Sequence, residues 1–342
     1  MNWDNHNVMV HVHIPKGLNI TQPVPVHVHF HGGDFVTGSG DHWPWFGDHL
    51  HRLSIEHNAI TLCPDYPLIP ESNGKELLET IDKFWVFYNG TNADELLEQA
   101  YKTHGLTGTL KLAKDRLLVS GESAGGFAAV HSWYHPCQIT NYHPIKVLYL
   151  QHPMLRHYIR NVKEATIKYM DNSVSKTELT NRATLLLETI QALKAKGRCR
   201  TRSSTFPPWC MLAAPTLSIT HKWQEAFQGG LGVRDCLEQV EHPDNTPDIK
   251  TFPKIFISHG NKDQNCPIEN TKKWVERLGT IYKDKNVNWD DLVYLTEVQE
   301  TGKGTANSKT PVDHAFDYNL HQKDEPWLME IVKGIGKAWG AK

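Results

Sequence analysis

The chain has 342 residues, of which 39% are hydrophobic and 22% charged, with a formal charge of −2. These values suit a soluble globular protein with one large α/β domain carrying an insertion, or with two domains. They exclude a basic block of the nucleic-acid-binding kind, and no run of about 18 apolar residues is present to span a membrane.

The N-terminus, "MNWDNHNVMVHVHIP", lacks a basic segment followed by an apolar one, so it does not read as a secretory signal and a cytoplasmic location is expected. "NVMVHVHIP" (7–15) and "VPVHVHFH" (24–31) read as strands, and "AITLCPDYP" (59–67) as a third, ended by prolines. Residues 74–104 carry helical periodicity through Leu77, Leu78, Ile81, Phe84, Trp85, Leu96, Leu97 and Tyr101. "DRLLVSGES" (115–123) is a fourth strand, followed by a small-residue helix, and "IKVLYLQHP" (145–153) is a fifth. Near-continuous apolar strands between helices indicate a mostly parallel sheet buried on both faces.

The rhythm then breaks. Residues 154–250 show helical patterns at about 156–170 and 175–196, a Cys/Arg/Ser/Thr segment at 198–205, then "FPPW", with no convincing strand. Strands resume at "KIFISHGNKD" (254–263) and "DLVYLTEV" (291–298), and a last helix starts near residue 325. The expectation is an α/β domain built from 1–153 and 251–342, interrupted by a mostly helical insertion at 154–250. Six scattered cysteines without C-x-x-C pairs read as reduced thiols.

"GESAGG" (121–126) carries the strongest chemical signal. Gly121, Ser123 and Gly125 form G-x-S-x-G between a strand and a helix, the setting that motif needs. The sharp turn strains the serine and demands small neighbours at i−2 and i+2. Its hydroxyl then projects at a helix N-terminus, where the dipole favours negative charge. A serine hydroxyl needs a base, and the base an acid to orient it. Asp263 lies in the loop after strand 254–258, and His314 in the loop after strand 291–298. Both stand outside the carboxyl ends of strands, where open α/β sheets bind ligands. Asp290 and Asp291 precede their strand and so lie at the wrong end, Asp313 adjoins the histidine, and His259 and His321 are weaker bases.

His27, His29 and His31 share a strand face and look like metal ligands, which His11 or His13 would complete. Two glycines follow at once, and these suit a different task. Acyl transfer needs backbone N–H groups aimed at an oxyanion. Gly32 and Gly33 allow close backbone approach, and the N–H groups of Gly33, Asp34 and Ala124 are the expected donors. His31 is expected to orient that loop. On this reading there is no metal and no cofactor.

Three motifs, "HGGDF" (31–35), "DYPLIPE" (65–71) and "GESAGG", together with "DHAF" (313–316), resemble those of the hormone-sensitive-lipase-like family of α/β-hydrolases, which includes carboxylesterases and arylacetamide-deacetylase-like enzymes. The resemblance covers most of the chain. It implies the α/β-hydrolase fold, esterase chemistry at Ser123, and a cap over the site. Asp34 stands where the family usually has a third glycine, and Pro67 where arginine is usual. The implied partner is a small or medium ester. Two other readings stay open: an amidase of arylformamidase type, and a non-catalytic α/β-hydrolase scaffold that binds a ligand. The substrate and the oligomeric state are not legible.

Overall fold

The computed structural model describes residues 2–3, 6–134, 142–156, 166–169, 172–197, 199–202, 213–220, 222–228, 234–241, 247–283, 285, 287–302, 310–323 and 325–340. Its centre is a seven-stranded sheet of β3 (Val10–His13), β4 (Val24–Phe30), β5 (Ile60–Pro64), β6 (Leu112–Glu122), β7 (Val147–Gln151), β10 (Lys254–Gly260) and β11 (Val293–Val298). The strands stand in the order β11-β10-β7-β6-β4-β5-β3. All neighbours are parallel except β3, which runs antiparallel to β5 at one edge. β1 (Asn2–Trp3) and β2 (His6–Asn7) form a small separate pair.

The two faces follow the period of two along each strand. Val26, Val28 and Phe30, with Leu117, Val119, Leu148, Leu150, Ile255 and Ile257, join one apolar core. Its other half comes from α2 (Gly74–Asn89), α4 (Ala124–Tyr134) and α9 (Ile268–Tyr282). The expected 74–104 helix is broken at Gly90, where α3 (Thr91–Thr103) begins. Asn73 starts α2 with a capping box: its side chain accepts from Glu76 N at 3.0 Å, and Glu76 accepts from Asn73 N at 3.1 Å.

Leu118, Val147 and Phe256 point to the opposite face and pack against α1 (Asp48–Glu56) and α10 (Pro326–Gly340). Toward the carboxyl ends this face turns polar. His27, His29, Ser120, Glu122, Tyr149, Gln151 and Ser258 line it, all buried. A sheet core that looks continuously apolar in sequence therefore contains a hydrogen-bonded layer beneath the functional end.

The 154–250 stretch departs from expectation in one respect. Thr166–Tyr169 (β8) and Asn172–Ser175 (β9) pair as an antiparallel hairpin, where a helix over about 156–170 and no strand were expected. The helix expected at 175–196 is α5 (Lys176–Ala195). Short helices α6 (Ala213–Ile219), α7 (Trp223–Gln228) and α8 (Cys236–Glu241) follow. Residues 157–165, the "FPPW" segment at 206–209 and part of the 300–311 loop lie outside the described residues. Cys63, Cys199, Cys236 and Cys266 are free thiols, while Cys137 and Cys210 lie outside the described residues. Among the described residues no helix is long and apolar enough to cross a membrane.

Gly121 and Gly125 lock the β6–α4 turn. A Cβ on Gly121 would press into the Gly125 carbonyl, and one on Gly125 into the Phe30 and His31 carbonyls, each closer than 3.0 Å. Backbone cannot give way there. Gly125→Ala is expected to cost at least about 3 kcal/mol through overpacking. Denaturant unfolding checks this, and an unchanged midpoint would contradict the packing described.

Candidate active site

Ser123 sits between β6 and α4 with φ 52°, in the left-handed region that the motif demands. Its backbone is held on both sides: its N–H donates to Gln151 O at 2.9 Å, and its carbonyl accepts from Met154 N at 2.8 Å. The residue is almost fully buried, at 2% exposure.

Two loops bring the partners in. Asn261 N donates to Val298 O at 3.0 Å, Lys262 N to Val312 O at 3.0 Å, and Gln264 N to the Asp313 carboxylate at 2.8 Å. These bonds stitch the loop after β10 to the chain beyond β11. Asp313 therefore points into the loop junction, as its neighbouring position suggested. His314 Nε2 lies 3.0 Å from Ser123 Oγ, and His314 Nδ1 lies 2.7 Å from Asp263 Oδ2. The carboxylate can only accept, so Nδ1 carries the proton and Nε2 offers its lone pair to the serine.

Asp263 does two jobs. Its Oδ1 accepts from the N–H groups of Asn265 (2.9 Å) and Cys266 (2.7 Å), which makes the turn, while Oδ2 faces His314. Burial works against its ionisation, but His314 and His259 outweigh that and hold the carboxyl far below its usual range. For His314 burial favours the neutral ring, yet Asp263, with Asp34 and Asp313 beyond, holds its pKa above 6.5. His259 does not contact the serine. It is buried, with Nε2 2.7 Å from Cys266 O and 3.2 Å from Asp263 Oδ2, so it buttresses the acid. His321 lies near Asp48, away from the serine.

The glycine loop sits beside Ser123. A Cβ on Gly32 would stand 3.4 Å from Ser123 Cβ. The Gly32 N–H donates to Glu122 Oε1 at 3.0 Å, so that amide is already engaged and Gly32 serves close approach alone. Gly33 (φ 96°), Asp34 (φ 52°) and Phe35 (φ 61°) are all left-handed, and Val36 N and Thr37 N both close on Gly33 O. His31 orients this loop as expected: Nδ1 donates to Gly32 O at 2.8 Å, and the ring stacks on Tyr66 at 4.2 Å between centroids. Phe35 packs against Tyr66 and Phe127 in the core.

His27 and His29 bind each other's neighbours. Thr61 donates to Ser54 (3.0 Å), Ser54 meets His27 Nδ1 (3.1 Å), and His27 Nε2 meets Ser120 Oγ (2.7 Å). Ser120 Oγ also meets His29 Nδ1 at 2.8 Å, and His29 Nε2 lies 3.2 Å from Glu122 Oε2. The hydrogen bonds run from Thr61 through Ser54, His27 and Ser120 to His29, whose Nε2 faces, without hydrogen-bond geometry, the carboxylate that holds Gly32. Burial pushes the His27 pKa well below 6.5, as a neutral relay requires. His11 and His13, which a metal set would have needed, line a separate cleft of about 440 Å³ with Trp43 and His51, and Ser123 does not line it.

A family model described as alpha/beta hydrolase fold matches residues 27–231. The chain belongs to the alpha/beta hydrolase fold family. That agrees with the resemblance drawn from its motifs. Over 323 residues it is 24% identical to a probable carboxylesterase, M8, of Phoma sp., covering 92% of this chain and 86% of that one. A probable carboxylesterase of Cochliobolus lunatus, clz11, matches at 27% over 175 residues, 51% of this chain and 72% of that one. Among solved structures, a fungal esterase from Rhizomucor miehei has a TM-score of 0.53 at 15% identity, covering 99% and 81% of the two chains. A Staphylococcus aureus protein of unknown function has a TM-score of 0.56 at 14%, covering 98% and 96%. These two likenesses concern the fold.

The hydrolase's departure at Pro67 has a structural counterpart that no sequence pattern announced. Arg200 reaches this segment from the 154–250 stretch. Its guanidinium takes the buried Glu71 carboxylate with two nitrogens, Nε and Nη2 (2.8 Å), and its Nη1 donates to Val36 O at 3.2 Å. Its own carbonyl accepts from Leu68 N at 2.6 Å. Beside it, Arg202 pairs with Asp41 at 2.5 Å. Phe227 of α7 adds an apolar contact to Phe35 at 5.7 Å between ring centroids.

Removing one member of the Arg200–Glu71 pair leaves a buried charge alone. Arg200→Met is expected to destabilise the hydrolase by about 3 kcal/mol, and adding Glu71→Leu should recover much of the loss. Unfolding midpoints of the single and double variants check this; a double variant worse than the sum of its parts would contradict it.

Proposed function

We propose that this protein is a serine carboxylesterase acting on esters of small to medium organic molecules. The observation that carries the reading is the unbroken Ser123–His314–Asp263 contact, 3.0 Å and then 2.7 Å, at a strand–helix turn. The names of the Phoma and Cochliobolus relatives support the ester as substrate class.

Ser123 Oγ attacks the ester carbonyl while His314 Nε2 takes its proton. Asp263 keeps the ring in the right tautomer and stabilises the imidazolium that forms. The N–H groups of Gly33, Asp34 and Ala124 receive the oxyanion, Ala124 at the positive end of α4. His314 returns the proton to the leaving alcohol. Water then enters, gives its proton to His314, and attacks the acyl-enzyme. Residues 154–250 form the cap of this proposal, gripping the oxyanion loop at Val36 through Arg200 and at Phe35 through Phe227.

Steady-state hydrolysis of a panel of p-nitrophenyl esters tests the reading. Ser123→Ala and His314→Ala are each expected to lower kcat by on the order of 10⁴ or more, and the double variant to be scarcely worse than either. Multiplicative losses, or undiminished turnover by Ser123→Ala, would defeat it. The pH profile offers a second check. His314 is active as the neutral ring, so kcat/KM should rise with pH through a midpoint above 6.5. Asp263→Asn removes the charge that raises this pKa, so the midpoint should fall along with the rate. A midpoint that stays put would show that Asp263 does not act on the histidine in this way.

A further inference from the structure

A second histidine–aspartate pair stands against the first. His152 follows β7 in a left-handed conformation, φ 35°, and is fully buried. Its Nε2 lies 3.1 Å from Asp317 Oδ1, and Asp317 Oδ2 accepts from Gln151 Nε2 at 2.7 Å. Burial opposes ionisation of Asp317, but His152 and His49 outweigh it and hold the carboxyl far below its usual range. An ionised carboxylate only accepts, so His152 keeps its proton on Nε2. Nδ1 is left as a bare lone pair, and among the described residues it has no hydrogen-bond partner. Such an orphaned, buried nitrogen calls for an explanation. The His152 and His314 ring centroids are 4.5 Å apart. One ligand atom from each of His152, Asp263 and His314 lies within 4.8 Å of the other two, the one such group among the described residues.

We propose that His152, Asp263 and His314 form a binding site for a zinc ion, and that filling it switches the hydrolase off reversibly. Two imidazoles and one carboxylate are a zinc-type donor set that leaves a fourth position open. Calcium and magnesium want oxygen ligands and fit it poorly. Ligand atoms around tetrahedral zinc stand about 3.3 Å apart at bond lengths of about 2.0–2.1 Å, so small side-chain rotations close the set. His152 is already held as metal-binding histidines are, with its other N–H on a carboxylate. Either nitrogen of His314 gives the same result. Zinc on Nε2 occupies the lone pair that faces Ser123. Zinc on Nδ1 takes the other tautomer, with the ring proton moved to Nε2, and replaces the contact with Asp263. In both cases the ring no longer serves as base, and removal of the metal restores it.

The test titrates the full-length protein with zinc chloride in a non-chelating buffer. One arm reads p-nitrophenyl ester turnover, and the other reads zinc bound to Ser123→Ala by calorimetry. Exposed histidines also take zinc, so the informative quantity is the change on altering His152. Turnover is expected to fall at least about tenfold at micromolar zinc and to return with EDTA, while Asp317→Asn is expected to bind zinc about 10–100-fold more weakly. His152→Phe, which keeps the ring's bulk, should require far more zinc for the same inhibition. In the Ser123→Ala background it should bind one equivalent fewer. If His152→Phe fails to fold, Asp317→Asn carries the comparison alone. Zinc without effect on turnover, or equal zinc sensitivity in wild type and the folded variants, overturns the proposal. The inhibition arm rests on the esterase reading, but the calorimetry does not. A wild type without ester turnover defeats that reading, whereas an undiminished binding stoichiometry defeats only the zinc site.

Discussion

Everything at the functional end depends on one backbone constraint, the left-handed Ser123 at the end of β6. That conformation is tolerable only because Gly121 and Gly125 let two segments of main chain lie against each other without side chains between them. Gly125 also abuts the carbonyls of Phe30 and His31, where β4 ends. The same close approach thus sets the serine and the start of the HGGDF loop relative to one another. Gln151 at the end of β7 takes the Ser123 N–H, so the three central strands converge on this one residue. Such a turn cannot be relaxed locally, because each contact belongs to a different strand.

Much of this was legible because it is local. G-x-S-x-G, the paired glycines after β4 and the loops after β10 and β11 each carry their signal within a few residues. Asp263 and His314 could be chosen over Asp290 and Asp291 because strand direction decides which end of a sheet a loop occupies. The polar layer was not legible. His27 and His29 share a face by the period of two, but what that face meets is Ser120, some 90 residues on. A run of histidines therefore looked like ligands when its side chains are hydrogen-bonded through Ser54 and Ser120. His152 and Asp317 gave no signal at all, since neither lies in a motif and their pairing spans 165 residues. The β8–β9 hairpin escaped notice because strands of four residues each are too short for alternation to outweigh the helical pattern around them.

Arg200 illustrates a third case, in which a departure was visible but its resolution was not. Pro67 stands where the resembled family carries an arginine donor, in the segment that flanks the HGGDF loop. The guanidinium that binds Glu71 and Val36 O comes instead from the 154–250 stretch, 129 residues after Glu71. The physical consequence is a coupling: the stretch that is proposed to shape the substrate pocket also holds the loop that is proposed to stabilise the transition state. With Phe227 on Phe35, it holds that loop at adjacent residues by unlike contacts, one a guanidinium hydrogen bond to Val36 O and one apolar.

The proposed chemistry turns on Ser123 as the residue that forms the covalent intermediate. Incubation with a fluorophosphonate, followed by peptide mapping by mass spectrometry, tests this most directly. A single stoichiometric adduct on Ser123 is expected, formed in step with loss of ester turnover and absent from His314→Ala on the same timescale. An adduct on another residue, or full turnover by enzyme that is completely labelled, would contradict it.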